Sequence, residues 1–203
     1  MIVSTSRSRL YELRRDRVAA ARSAELLERK REVLLRETVA RIAKRDALRA
    51  TVARALAAAN RKLAVARVHH GSERIAAVAL AQPLACAIES RELSIMGVRL
   101  VELHAEVQPF RAMYGPAATS QALDDAAIAF HTLLPDVIRL AGEEHAVSRL
   151  RLTLRKTTKL VNALQKIVLP RLQREIRLIV ESIEEEERDE AVRRKVWLLR
   201  HAS

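Results

Sequence analysis

Val147-Ser148-Arg149-Leu150-Arg151-Leu152-Thr153-Leu154-Arg155-Lys156-Thr157-Thr158-Lys159-Leu160-Val161-Asn162-Ala163-Leu164-Gln165-Lys166-Ile167-Val168 is the stretch that decides the fold. Within it Val147, Leu150, Leu154, Thr157, Val161, Leu164 and Val168 follow alternating three- and four-residue steps without a miss. An apolar stripe that recurs every seven residues needs a partner helix whose holes receive its knobs. The stripe resumes after Pro170 at Leu172, Ile176, Ile179 and Ile183. Pro170 has no N–H to give, which predicts a bend or one broken turn at that point.

The partner stripe lies at the other end of the chain. From about Ser8 to about Arg67 there is neither Gly nor Pro, and Leu13, Ala20, Leu27 and Leu34 recur every seven residues, with Leu10 and Ala24 in companion positions. The stripe then reads as slipping by one residue, continuing through Leu35, Ile42, Leu56 and Leu63 with Arg49 interrupting it. A slip of this kind predicts locally altered supercoiling. A helix over Ser8–Arg67 would be about 90 Å long at 1.5 Å per residue, too long for the core of a small globule.

Between the stripes the pattern changes, and Gly71, Pro83, Gly97, Pro109, Gly115, Pro116 and Pro135 all fall there. Leu93 and Ile95, then Val98, Leu100 or Val101 and Leu103, flank Met96-Gly97 with apolar residues. Gly97 can take the positive φ of a tight turn, so a β-hairpin is expected at about 88–107. Ser120 followed by Ala122, Leu123, Ala126, Ala127 and Phe130 predicts a short helix from about 120 to 134. The fold class is therefore mainly α. Residues 1–75 form a long N-terminal helix, 76–140 a small middle region, and 141–203 a long C-terminal helix. The two long helices pair as an antiparallel coiled coil with a seam of Leu13, Leu27, Leu34, Ile42, Leu150, Leu154, Val161, Leu164 and Val168.

Composition agrees with that architecture. Aromatic residues are 2% of the 203 and charged residues 31%, so the core is a thin aliphatic seam rather than a thick interior. The net charge of +12 is unevenly spread: +11 over residues 1–80, −3 over 81–140 and +4 over 141–203. Such a distribution favours acidic partners. Arg7, Arg9, Arg14, Arg15 and Arg17 crowd one end, and Arg193, Arg194 and Lys195 follow the acidic run Glu184–Glu187. Glu184/Arg188, Asp189/Arg193 and Glu190/Arg194 stand four apart in the order that supports a helix. Cys86 is alone, which fits a reducing cytoplasm. Neither a signal-peptide run nor the roughly 20 apolar residues of a membrane span is present, so the chain is expected to be soluble or peripherally bound.

One block has a family character. Lys156-Thr157-Thr158-Lys159-Leu160-Val161-Asn162-Ala163-Leu164-Gln165, followed by Ile167-Val168-Leu169-Pro170, resembles the C-terminal signature of the D subunits of V/A-type ATPases. Ile176-Arg177-Leu178-Ile179, Glu187-Arg188-Asp189, Leu26–Leu34 and the turn Ile95-Met96-Gly97-Val98 are similar to the same family, in order along nearly the whole chain. Lys159-Leu160 stands where the family has an Arg pair, Gln165 where it has Glu, and the Pro-Thr-Arg start is absent. The resemblance implies a non-catalytic central-stalk shaft whose two ends lie inside the ring of A and B subunits. It also implies a middle that projects toward the small F subunit of the stalk and the C subunit that forms the socket above the proteolipid ring. Torque would pass between ATP turnover in the ring and proton or sodium movement in the membrane. The basic clusters at Arg7–Arg17 and Arg193–Lys195 are then expected to form the bearing surface against the ring. Asn162, one residue past Val161 at the border of the seam, reads as a polar residue that helps fix register, ahead of a contact to the ring or to the bend near Pro170.

Other functions find little support. Glycines at positions 71, 97, 115 and 142 cannot compose a phosphate-binding loop, so no nucleotide or other cofactor is expected. His69, His70, His104, His131, His145 and His201 are scattered, without metal-ligand spacing. No Ser/His/Asp grouping has a nucleophile context. The rival readings are a generic basic coiled-coil scaffold and a nucleic-acid binder. Phe110, Phe130, Tyr11, Tyr114 and Trp197 are too few and dispersed for a base-stacking platform.

Overall fold

A computed structural model describes residues 6–82, 86–115 and 120–201. Pro83 and Pro116, two of the expected breaks, lie outside the described residues, as do residues 1–5 of the first expected segment and 202–203 of the last. The elements in order are α1 (Arg7–His70), α2 (Ser72–Ala81), β1 (Cys86–Ile95), β2 (Val98–Val107), α3 (Gln121–Ala163), a π-helical turn (Leu164–Val168) and α4 (Leu169–His201). Two compact units divide the chain. A terminal unit comprises Met1–Glu32 with Leu154–Ser203, and a middle unit comprises Val33–Thr153.

Up to Leu48 the seam of α1 shows no slip; beyond it one row moves on by a residue, with Ala55 and Lys62 exposed and Leu63 half-buried against the Ala66 cluster. Leu13, Ala24, Leu34, Thr38, Val52, Ala59 and Ala66 are its buried positions. They fall on two interleaved rows of constant seven-residue spacing, 13–20–27–34–41–48 and 24–31–38–45–52–59–66. Leu35 and Leu56, expected to carry the stripe, are 50% and 40% exposed, and Ile42 is half-buried. The apparent slip arose because Arg31, Thr38, Arg41 and Arg45 occupy seam positions. Periodicity read from apolar residues alone jumps to the nearest leucine, whereas the helix buries the stems of long polar side chains. Thr38 satisfies its hydroxyl by donating to the Leu34 carbonyl at 2.6 Å. Leu27 is half-buried, and on the opposing stripe Leu150 and Val161 are buried while Leu154, Leu164 and Val168 are half-buried. Asn162, at the border of the seam, is exposed.

The helix expected to end near residue 134 continues through Pro135 to Ala163. Proline removes one helical hydrogen bond, and the packing of Leu133, Ala146, Val147 and Leu150 on the same helix outweighs that loss. Pro170 has a different effect. The Leu169 N–H reaches the Leu164 carbonyl, one residue further back than in an α-helix. The sequence explains why. Seven-residue spacing from Val161 would place the later stripe at 171, 175, 178 and 182, but the apolar residues stand one later, at Leu172, Ile176, Ile179 and Ile183. A π-helical turn holds one extra residue, so it absorbs the offset. Ile179 is fully buried as a result, and its neighbour Leu178 is 61% exposed.

In the middle unit β1 and β2 pair antiparallel from Cys86↔Val107 to Ile95↔Val98, a slightly longer hairpin than expected. Met96 (φ 49°) and Gly97 (φ 77°) both adopt left-handed φ, the two-residue turn whose twist matches that of the strands. Val98 and Leu100 are buried. Ala66, Leu123 and Ala126 form a second small core with Leu63, Ile75, Val78 and Tyr114 around it, which places the end of α1 against the start of α3. There the Ser120 N–H donates to His70 Nε2 at 3.0 Å, and the Ser120 hydroxyl lies 2.7 Å from the same nitrogen.

Candidate functional site

The structure carries two places where charge and exposure concentrate, one in each unit. In the terminal unit α1 and α4 run antiparallel. Arg7 Nη2 meets Glu187 Oε1 at 2.5 Å, while Val18, Ala21 and Glu25 border a groove of about 410 Å³ with Leu169 and Gln173. Arg9 pairs with Glu12 at 3.0 Å, and Arg14, Arg15 and Arg17 are exposed. Arg193, Arg194 and Lys195 are exposed on α4, with Arg193 3.9 Å from Asp189.

The Arg7–Glu187 pair lies between the two basic clusters. Arg9 to Arg17 run along α1 to one side of it. Arg193 to Lys195 lie on α4 on the other side, roughly 9–12 Å beyond Glu187 at 1.5 Å per residue. The acidic run Glu184–Glu187 sits between them. One unit therefore holds both clusters, as two cationic bands flanking an acidic one. Beyond Arg188, Val192, Val196 and Leu199 stand exposed at steps of four and three residues, giving α4 an uncovered apolar ridge. That spacing was present in the sequence, but the dense charges around it hid it.

In the middle unit Arg41 is a node between three elements. Its Nε donates to Glu37 on its own helix at 2.9 Å, Nη2 to Glu102 of β2 at 3.2 Å, and Nη1 to both oxygens of Glu143 on α3 at 3.3 Å. Lys44 Nζ reaches the same Glu143 at 2.5 Å. Burial works against the Arg41 charge, but the hydrogen bond to Glu37 and the field and hydrogen bond of Glu143 outweigh it and hold the guanidinium above its ordinary pKa. Beside the node, a Cβ at Gly142 would stand 3.3 Å from the Leu103 backbone nitrogen, so any larger residue would press α3 away from β2 by a few tenths of an ångström. A groove of about 470 Å³ opens next to it, lined by Lys44, Thr51, His104 and Arg139 among others. The Tyr114 hydroxyl donates to Asp124 at 2.6 Å, and burial together with that carboxylate pushes the phenol's pKa upward.

Among the described residues no group of three His, Cys, Asp or Glu side chains is arranged to hold a metal ion. No helix among them is long and apolar enough to cross a membrane. What the arrangement offers is helix pairing and charged surface.

The family model for the D subunit of ATP synthase matches residues 9–198. This chain belongs to the ATP synthase D-subunit family. It is 34% identical over 195 residues to the D subunit of the V-type ATP synthase of Thermotoga neapolitana, covering 96% of each chain. It is 33% identical over 196 residues to the D subunit of the A-type ATP synthase of Pyrococcus furiosus, covering 95% of this chain and 92% of that one. To the D subunit of the V-type ATP synthase of Thermus thermophilus it is 28% identical over 193 residues, covering 95% and 86%. Sequence reasoning found the long helices and the hairpin but missed the Arg41 node. Arg41 stands 61 residues from Glu102 and 102 from Glu143, and only the fold brings them together.

Proposed function

We propose that the chain is the central-stalk rotor shaft of a V/A-type rotary ATPase, itself non-catalytic. In this reading it carries torque between ATP hydrolysis or synthesis in a ring of A and B subunits and proton or sodium translocation by the membrane rotor. The observation that carries the reading is the buried seam of α1, which recurs from Leu13 to Ala66 against antiparallel partner helices in both units. Interlocked knobs and holes resist the twisting of one helix about the other, which a shaft under torque requires. Family membership supports the assembly; the chemistry of ATP belongs to other subunits.

The two cationic bands, Arg7 to Arg17 and Arg193 to Lys195, are the surfaces assigned to the A/B ring in this reading. The middle unit serves the small F subunit of the stalk and the C subunit of the socket, on the cytoplasmic side and peripheral to the membrane. The test is a reconstituted complex with a rotation probe on the stalk. Replacing Arg14, Arg15, Arg17, Arg193, Arg194 and Lys195 together by glutamine should leave ATP hydrolysis measurable while ion transport per ATP falls. Full coupling in that variant would retire the bearing assignment. Full coupling with the chain left out would retire the shaft itself.

A further inference from the structure

We propose that the groove between α1, β2 and α3 in the middle unit binds a small amphipathic carboxylate, of which a medium-chain fatty acid anion is the type that fits. Every residue lining the groove falls within Val33–Thr153, so the site belongs to one unit. Its volume of about 470 Å³ lies in the roughly 300–1,000 Å³ range of small-molecule sites. Three elements build it. Lys44, Ala47, Leu48 and Thr51 stand at the three- and four-residue steps that share one face of α1. Arg139, Gly142 and Glu143 do the same on α3, and Val101–His104 of β2 supplies the third side.

The walls are apolar and held in place. Leu48, Val101 and Leu103 are each half-buried, whereas Leu100 on the same strand is fully buried. Apolar surface left partly wet inside a concave site gains from an apolar ligand body. The Arg41 node fixes the three walls relative to one another, through Glu37 on α1, Glu102 on β2 and Glu143 on α3. A groove set before the ligand arrives loses little freedom when it is filled.

The charges select the head group. Both lining carboxylates are engaged, Glu102 by Arg41 and Glu143 by Arg41 and Lys44. Two cations keep donors for a ligand. Lys44 has three N–H groups, meets Glu143 at 2.5 Å and is 60% accessible. Arg139 is 57% accessible and stands 3.7 Å from Asp136, longer than a charge-assisted hydrogen bond. Arg41, Lys44 and Arg139 against Glu102 and Glu143 leave one positive charge in excess. A single carboxylate balances it. A phosphate monoester, with roughly two negative charges at neutral pH, overshoots, and Asp136 repels the second of them. The ligand is therefore a free carboxylate rather than a lipid phosphate, its head on Lys44 and Arg139 and its chain on Leu48, Val101 and Leu103. Occupied, the site ties α1 to α3 across β2. The inference rests on the middle unit alone and does not require the shaft to turn.

The test titrates the full chain with decanoate, kept below the concentration at which it forms micelles, and follows binding by calorimetry. One saturable site per chain is expected, and filling it should slow amide exchange over Val101–His104 at least fivefold. Decylamine, with the same chain and the opposite charge, should bind at least tenfold more weakly, and decyl phosphate no more tightly than decanoate. Arg139→Gln should weaken decanoate binding at least fivefold with an unchanged melting temperature, because Arg139 is exposed and takes no part in the Arg41 node. Ala47→Trp, at an exposed position of the α1 wall, should fill the groove and abolish binding with helicity intact by circular dichroism; should that variant misfold, Arg139→Gln decides alone. Equal affinity for decanoate and decylamine, tighter binding of decyl phosphate, several weak sites in place of one, full affinity in Arg139→Gln, or no binding of decanoate would each overturn the proposal.

Discussion

Replacing Arg41 by methionine isolates the node that joins α1, β2 and α3. The Arg41 side chain is 12% accessible and that of Glu143 is 7%, so their pairing is largely out of water. Removing one member of a buried pair costs about 3–5 kcal/mol, because the remaining charge is left uncompensated. Two features lower that figure. Lys44 stays 2.5 Å from Glu143, and Glu37 and Glu102 are 30% accessible and can recruit water. The expected loss for Arg41→Met is therefore about 3 kcal/mol, roughly a hundredfold in the folding equilibrium of the middle unit. Adding Glu143→Leu removes the stranded carboxylate, and the double variant should recover most of the loss, leaving a deficit of about 1 kcal/mol. Urea unfolding followed by circular dichroism supplies the free energies, and amide exchange over Val98–Leu103 reports whether the hairpin loosens first. A loss below about 0.5 kcal/mol for Arg41→Met, or additive effects in the double variant, would refute the claim that the node holds the hairpin to the helices.

Three further outcomes are expected. Leu34→Ala should cost about 3 kcal/mol and Leu35→Ala under about 1 kcal/mol, since Leu34 is fully buried and Leu35 is 50% exposed; equal costs in thermal melts would restore the slipped seam. Tyr114 has its pKa raised in the folded chain, so the protonated phenol contributes stability that is whole below about pH 10, the value of an unfolded tyrosine, and declines as pH rises above it. Tyr114→Phe should flatten that decline in urea titrations above about pH 10, and an unchanged slope there would remove Tyr114 as its source. Deleting Gln165 should leave helix content and melting temperature unchanged or higher, because the π-helical turn relaxes to α and the stripe stays in phase. Inserting one Ala after Gln165 should instead turn Ile176, Ile179 and Ile183 off the seam and cost about 2–3 kcal/mol; equal damage from both changes would show that the turn absorbs no extra residue.

The long helices, the hairpin and its Met96-Gly97 turn were legible because each rests on a local rule: heptad spacing, absence of breakers, and a glycine where φ must be positive. The phase of the seam in α1 was not. Its polar members Arg31, Thr38, Arg41 and Arg45 carry no apolar signal, and their burial follows from stems and hydrogen bonds that appear only when the partner helix is in place. The continuation of α3 through Pro135 was likewise hidden, because a single proline is a strong local signal and helix packing along Leu133 to Leu150 is a longer-range one. For the candidate surfaces, the charge clusters were visible by counting, but their separation by the Arg7–Glu187 pair depends on how the antiparallel helices are staggered.

Alanine is the residue at two buried positions where α1 meets α3, Ala66 and Ala126. A methyl group is the smallest side chain that still fills space in a helix, so backbones meeting over such residues come near the roughly 8 Å lower limit of helix–helix separation. The close fit narrows what can change there. Swapping in a valine or leucine would wedge the helices apart and lever the small Leu63–Val78 cluster open, while glycine would surrender helix stability of about 1 kcal/mol. The exposed arginines can drift with few consequences for folding; these two methyl groups leave selection almost no alternatives.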